Sequence, residues 1–221
     1  QDRMYASNPS DEEKQKILKD LKEIERISPY HWVEFLIGKW YGKGWGGEEN
    51  RKQALVWYTK AKNSENIGAM VNLAIYYEDG DLGLTQSSTK AIELYAFAAD
   101  KGDAMARYNL GWTYKDGNGV EIDFIRCVES WKQSAKQGFV DAQHRLSRLY
   151  RDGSKDGPPM TIPINDQLAF RWCLAAAKKG HADCMNDIGI HYENGTGGLD
   201  QNLGTAFEWF MKSAVEGNQH G

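Results

Sequence analysis

One line of text recurs five times in this 221-residue chain, and a fixed period limits the fold more than any composition does. Around Ala106 it reads Ala106, Leu110, Gly111, Tyr114, Gly117, Gly119 and Val120. A second half follows with Cys127, Trp131, Ala135 and Gly138. From Ala69 the same places hold Leu73, Ala74, Tyr77 and Gly80, then Ala91, Tyr95, Ala99 and Gly102. From Ala142 they hold Leu146, Ser147, Tyr150 and Gly153, then Ala169, Cys173, Ala177 and Gly180. From Cys184 they hold Ile188, Gly189, Tyr192 and Gly195, then Ala206, Phe210, Ala214 and Gly217. A weaker first copy runs through Val33, Ile37, Gly38, Tyr41 and Gly44 to Ala54 and Tyr58. The copies start near 33, 69, 106, 142 and 184, at intervals of 36, 37, 36 and 42 residues.

Each copy reads as two helices. Apolar or small residues at offsets 0, +4, +5 and +8 share one helical face. The Gly three residues after the Tyr suits the left-handed position that closes a helix. The second helix alternates small residues with a large aromatic, as two closely approaching helices require. A single pair cannot bury both faces, so the copies must stack. On this reading Gly44, Gly80, Gly117, Gly153 and Gly195 end first helices, and Gly102, Gly138, Gly180 and Gly217 end second helices. Trp57, Trp131, Trp172 and Trp209, at second-helix offsets +3 or +4, are expected in the core. Trp40 and Trp45 are expected in an atypical loop of the first copy.

The line Ala106…Leu110-Gly111…Tyr114…Gly117-x-Gly119-Val120…Asp123, followed by the Trp131 helix and Gly138, resembles a Sel1-like repeat, a longer relative of the 34-residue tetratricopeptide repeat. The resemblance runs from Val33 to the end, roughly 85% of the chain. It implies an all-α fold, a right-handed α/α solenoid of about five helix-pair repeats over 29–221. Two departures stand out. Copy 1 has Lys62 and Glu65 where the Ala and Gly of its second-helix end belong. Copy 4 carries an insertion, 154–164, with Pro158, Pro159 and Pro163. Its Met160 and Ile162 leave two readings open, a lid over one face or an inert loop.

The ends differ from the repeats. Residues 1–9 are polar and read as a disordered tail. Ser10 with Glu13 fits a capping box, and Ile17, Leu18, Leu21, Ile24 and Ile27 mark one face of a capping helix over 10–28. Ser28-Pro29 fits an N-cap with Pro at the first helical position of the next helix. Near the other end Phe207, Trp209, Phe210 and Met211 exceed what one neighbour covers, so self-association through this last repeat, or a continuing chain, is expected. The chain starts without Met, so a missing upstream segment is expected too, an export signal being one explanation. With the bacterial members of the family in view, this leans towards a bacterial, periplasmic protein.

Chemistry is sparse. Net charge is −4 with no basic block, which argues against a nucleic-acid partner. No apolar run approaches a membrane span. His31, His144, His181, His191 and His220 form no metal-binding spacing, and neither a Walker loop nor a G-x-S-x-G elbow occurs. His181, Cys184 and Cys173 have the right ligand types for a metal. Both cysteines nevertheless sit in ordinary repeat slots, so inert buried thiols are expected, with a Cys173–Cys184 disulfide left open. In cysteine-rich members of the family a disulfide joins second-helix offset +8 to the next start. Cys184 matches the second place, but Ala177 stands at the first, so that pairing does not carry over. No cofactor, no metal and no catalysis are expected.

By analogy with tetratricopeptide repeats, first-helix offsets +2, +6 and +9 line a concave surface. They hold Phe35 and Lys39 in copy 1, with Trp32 beside them, then Val71, Ile75 and Glu78. Tyr108, Trp112 and Lys115 follow, then His144, Arg148 and Arg151, and last Asn186, Ile190 and Glu193. Aromatic and Arg side chains are common interface hot spots. The expected site is an aromatic floor at Phe35, Tyr108 and Trp112 with an Arg148/Arg151 rim, taking a protein or peptide with an apolar anchor and an acidic group. The implied function is a non-catalytic interaction scaffold or adaptor. Two alternatives are an immunity protein that blocks a toxin, and a weak hydrolase or cell-wall-ligand binder.

Overall fold

The computed structural model describes residues 10–45, 50–153 and 162–219. Among these residues it contains eleven helices and no strand. The chain divides into two compact units, 1–101 and 102–221. Unit 1 holds α1 (Asp11–Ile27), α2 (His31–Gly42), α3 (Arg51–Asn63), α4 (Ile67–Asp79) and α5 (Ser88–Asp100). Unit 2 holds α6 (Ala104–Asp116), α7 (Phe124–Lys136), α8 (Val140–Asp152), α9 (Asp166–Ala177), α10 (Ala182–Asn194) and α11 (Leu203–Gln219).

The same few contacts build every helical hairpin. The second helix opens on Asn50, Ser87, Asp123, Asn165 or Asn202, whose side chain accepts the backbone N–H three residues on. The backbone N–H of each capping residue donates to the carbonyl of the repeat tyrosine, Tyr41, Tyr77, Tyr114, Tyr150 or Tyr192, at 2.7–3.0 Å. The closure survives in copy 4, where Asn165 reaches Tyr150 at 2.7 Å across the insertion. Residues 154–161 of that insertion, with Met160, lie outside the described residues. Ile162 is buried against the cluster of Cys127, Trp131 and Leu146.

At three crossing points a glycine on the first helix receives an aromatic ring from the second. A Cβ at Gly111 would strike the Trp131 indole, and one at Gly189 would strike the Phe210 ring. At Gly38 it would lie 2.9 Å from the Tyr58 ring. The plug is always the residue four places after the start of the second-helix pattern. That makes Tyr58, Tyr95, Trp131, Cys173 and Phe210 the plugs, and the first four are buried. Trp57, Trp172 and Trp209 sit one place earlier and are only half-buried, which corrects the expectation that all four Trp fill this slot. One residue is about 100° of helical rotation, enough to move a ring from the core to its rim.

The helix ends bring two further corrections and show how copy 1 turns without its glycine. Ser28 ends α1, its N–H donating to Ile24, and α2 starts beyond Pro29 on Tyr30, so Ser28-Pro29 stops one helix instead of starting the next. Gly217 lies inside α11 and does not end it. Glu65 takes φ 60°, the left-handed turn that Gly102, Gly138 and Gly180 supply elsewhere, so copy 1 keeps the turn without the glycine.

Unit 1 is closed at its start by α1. Ser10 and Glu13 form the capping box. Leu21 packs with Val33 and Ile37, and Leu18 lies against them. Ile17, Ile24 and Ile27 remain exposed, so the expected apolar face is half covered. Trp40 belongs to α2, not to a loop, and its indole N–H donates to the Lys14 carbonyl at 3.1 Å. Trp45 meets it edge-on at 5.2 Å. Lys60 of α3 ties in Glu25 of α1 and, at 3.5 Å, the buried Glu34 of α2. The 1–9 tail lies outside the described residues.

Candidate protein-binding surface

In unit 2 the first helices α6 and α8 carry the expected residues. Tyr108 and Trp112, one turn apart on α6, meet edge-on at 6.2 Å. Both also pack inward: Trp112 lies 5.1 Å from the Trp131 ring, and Tyr108 lies 5.3 Å from Phe139. The Trp131 indole N–H donates to the Tyr108 carbonyl at 3.2 Å. Each of the two side chains is therefore half-buried, with one edge in the core and one at the surface. Lys115 holds its ammonium 5.3 Å from the Trp112 ring centre and pairs with Asp116.

On α8, Arg145 places its guanidinium 4.6 Å from Trp112 and 5.0 Å from Trp131, a cation resting against two indoles that meet edge-on. The sequence reading missed it, because offset +3 faces neither the hairpin partner nor the expected concave line. Only the register between neighbouring first helices would have shown that it reaches Trp112. Arg148 is exposed. Arg151 is ion-paired with Asp152 at 3.1 Å, the main cause of its raised pKa, and with Asp187 of α10 at 2.9 Å. Beside it a cavity of about 190 Å³ is lined by Arg151, Asp166, Asp187, Ile190, His191 and Thr196.

His144 meets His181 with ring centres 4.2 Å apart and planes tilted by 48°. Burial and the His181 neighbour lower its pKa from the ordinary 6.5, so the neutral ring is favoured. Burial likewise lowers the pKa of His191, whose Nδ1 lies 2.8 Å from the Thr196 hydroxyl. Cys173 and Cys184 are both free, and the Cys173 thiol donates to the Cys184 carbonyl at 3.3 Å. The disulfide left open by the sequence does not form here.

In unit 1, Trp32 is 49% exposed at the start of α2. Phe35 is half-buried, 6.0 Å from Tyr58, with the Lys39 ammonium 5.7 Å from its ring. Ile75 is half-buried on α4, whereas Val71 is buried and leaves the expected surface. Glu78 accepts the Tyr95 hydroxyl at 3.0 Å. Phe35 thus belongs to unit 1, and Tyr108 and Trp112 to unit 2.

Helix α11 exposes Leu203, Phe207, Met211 and Val215, one per turn. One repeat earlier, Phe170 and Leu174 hold the places of Phe207 and Met211, and both pack against the cluster that α10 joins. No helix among the described residues is long and apolar enough to cross a membrane.

Stacked helical hairpins with a half-exposed aromatic and cationic face define the class: an α-solenoid repeat protein of the kind that binds other proteins. The Sel1 repeat family matches residues 34–66, 67–103, 104–139, 140–181 and 182–218, and the chain belongs to that family. It is 27% identical over 186 residues to chitin synthase regulatory factor 2 of Schizosaccharomyces pombe, covering 80% of this chain and 35% of that protein. It is 24% identical over 205 residues to the chitin synthase regulator SKT5 of Saccharomyces cerevisiae, covering 90% of this chain and 29% of that protein. The chain thus spans about a third of the length of these relatives. Among solved structures it resembles a Sel1 repeat protein from Oxalobacter formigenes, with TM-score 0.80, 23% identity, and coverage of 92% of this chain and 58% of that one. The immunity protein Pa5087 from Pseudomonas aeruginosa superposes with TM-score 0.58 at 20% identity, over 87% of this chain and 68% of that one, a likeness of fold alone. With yeast regulators among the relatives, the expectation of a bacterial protein and the immunity reading find no support.

Proposed function

We propose that this chain is a non-enzymatic adaptor that binds a partner protein through its first-helix surface and so regulates it. The observation that carries the reading is the half-exposed Tyr108–Trp112 pair in unit 2 with Lys115 and Arg145 against it, and Arg148 exposed further along α8. Two ring edges supply an apolar anchor site, and the cations select an acidic group beside it. His144 and Arg151 extend this surface along α8. In unit 1 we assign the same role to Trp32, Phe35, Lys39 and Ile75. The relatives named as regulators of chitin synthase support a regulatory role over a catalytic one.

The test is co-purification from the native source with the wild-type chain, Tyr108→Ala/Trp112→Ala/Arg148→Ala and the exposed single change Arg148→Glu. The reading expects a stoichiometric partner that both variants lose. Equal recovery by all three, with unchanged helical circular dichroism, rejects it. A variant that loses its helical signal is judged through Arg148→Glu alone.

A further inference from the structure

His144 on α8, His181 at the N-cap of α10 and Cys184 in the first turn of α10 each turn one ligand atom to a common point. The three atoms lie within 4.8 Å of one another. The sequence separates His144 from His181 by 37 residues, which is why no local spacing announced the pair. From this cluster we propose that unit 2 binds one zinc ion, held by the two imidazoles and the Cys184 thiolate, with water at the fourth position.

The donor set fits the ion. Two imidazole nitrogens and one thiolate suit zinc better than hard cations that take oxygen ligands. Tetrahedral bonds of about 2.0–2.3 Å put neighbouring ligand atoms roughly 3.3–3.6 Å apart, so the three atoms need draw in by about 1 Å at most positions. Half-buried His144 has the side-chain rotations for that.

The surroundings fit as well. His181 Nδ1 now accepts a long 3.3 Å contact from the Cys184 backbone N–H. In a neutral ring that contact puts the proton on Nε2, so Nδ1 holds the lone pair offered to the ion, and uptake exchanges a weak cap for a metal bond. Cys184 is fully buried, and the neighbouring Cys173 thiol and burial raise its pKa, so it is the ion that releases the thiol proton to water as the metal–sulfur bond forms. Asp183 and Asp187 on α10 act on His144 with their negative charge against the positive Arg148, which limits the charge the site accumulates. A cavity of about 320 Å³, lined by Val140, Lys179, Gly180, His181, Ala182 and Asp183, opens beside His181.

The repeat supplies its own control. The slot of Cys184 is Ala69, Ala106 and Ala142 in the earlier copies, so Cys184→Ala suits the fold while removing the sulfur ligand. Cys127 is a buried thiol outside the ligand cluster, in a slot that is Ala54, Ala91, Ala169 and Ala206 elsewhere, so Cys127→Ala removes a thiol but no ligand. The reduced full chain is titrated with zinc chloride by calorimetry, and with cobalt chloride by absorption. Expected are one equivalent per chain, visible bands of a tetrahedral cobalt ion and a thiolate-to-cobalt charge-transfer band. Cys184→Ala should abolish that band, and His144→Asn should weaken zinc binding roughly 10- to 100-fold or more. Cys127→Ala should change neither. The proposal is overturned if the wild type shows no saturable uptake, or if cobalt binds without a thiolate band. Unchanged affinity in Cys184→Ala also overturns it.

Discussion

Units 1 and 2 are built from the same hairpin but spend their departures from it differently. In unit 1 the unusual residues close an end. Helix α1 covers Val33 and Ile37, Trp40 is tied to the Lys14 carbonyl, and Lys60 gathers Glu25 and the buried Glu34. Its plugs are tyrosines, and the Tyr95 hydroxyl reaches Glu78. In unit 2 the unusual residues gather where neighbouring repeats meet. The plug of its first hairpin is Trp131, which Arg145 and the edge-on Trp112 contact, and His144 meets His181 and Cys184. A fixed frame of caps, tyrosine carbonyls and crossing points thus leaves the remaining positions free to differ, and that freedom is what recognition needs.

The sharpest way to break the comparison is through the plugs. Trp131→Ala should cost about 3–5 kcal/mol, measured by urea unfolding, because the indole is fully buried and roofed by two further groups. Gly111→Ala should follow at about 1–3 kcal/mol, since the new methyl meets a ring that has no room to move. The matching change in unit 1, Gly38→Ala, should fall near the lower end of that same range, about 1 kcal/mol, the tyrosine ring standing 2.9 Å away. Equal costs at both glycines would mean that plug size does not set how tightly the hairpins close.

Acid should separate the units next. His144 and His191, both in unit 2, have folded pKa values below the ordinary 6.5. The unfolded chain therefore binds more protons, so their contribution is complete above about pH 6.5 and is lost as pH falls through the lower folded values. Around His144 the charges are His181, Arg148, Asp183 and Asp187; around His191 they are Asp166, Asp187 and Arg151. Urea midpoints at pH 7.5 and pH 5.5 should show the loss, and the double change His144→Gln/His191→Gln should flatten it. The smallest effect belongs to unit 1. Glu65→Gly should stabilise by about 0.5–1 kcal/mol, because glycine takes the left-handed turn without strain; a thermal midpoint that falls would refute this.

Much of the fold was legible because the helical period and the closing glycines repeat together. Gly80, Gly117 and Gly195 take left-handed φ values where the pattern put helix ends. The misreadings have one physical source, that a linear pattern does not fix rotation about a helix or the register between helices. Trp172 and Cys173 are adjacent in sequence, yet one is at the rim and the other in the core. Pro29 marks a boundary from either side, and only the Tyr30 carbonyl, accepting from Val33, shows which helix it serves. Of the candidate surface, residue types at offsets +2, +6 and +9 were readable. Arg145 over Trp112 and His144 against His181 were not, since each pair joins different helices across a repeat boundary.

The crossing points have a consequence for how such a chain changes over time. Gly111 and Trp131, or Gly189 and Phe210, are a hole and its filling lying about twenty residues apart inside one hairpin. Neither member is acceptable alone, because a side chain at the hole collides and a small residue at the filling leaves a void. A duplication that copies one whole hairpin carries both together, and the copy arrives already self-consistent. Lineages should therefore gain and lose these hairpins as whole units more readily than they alter either half.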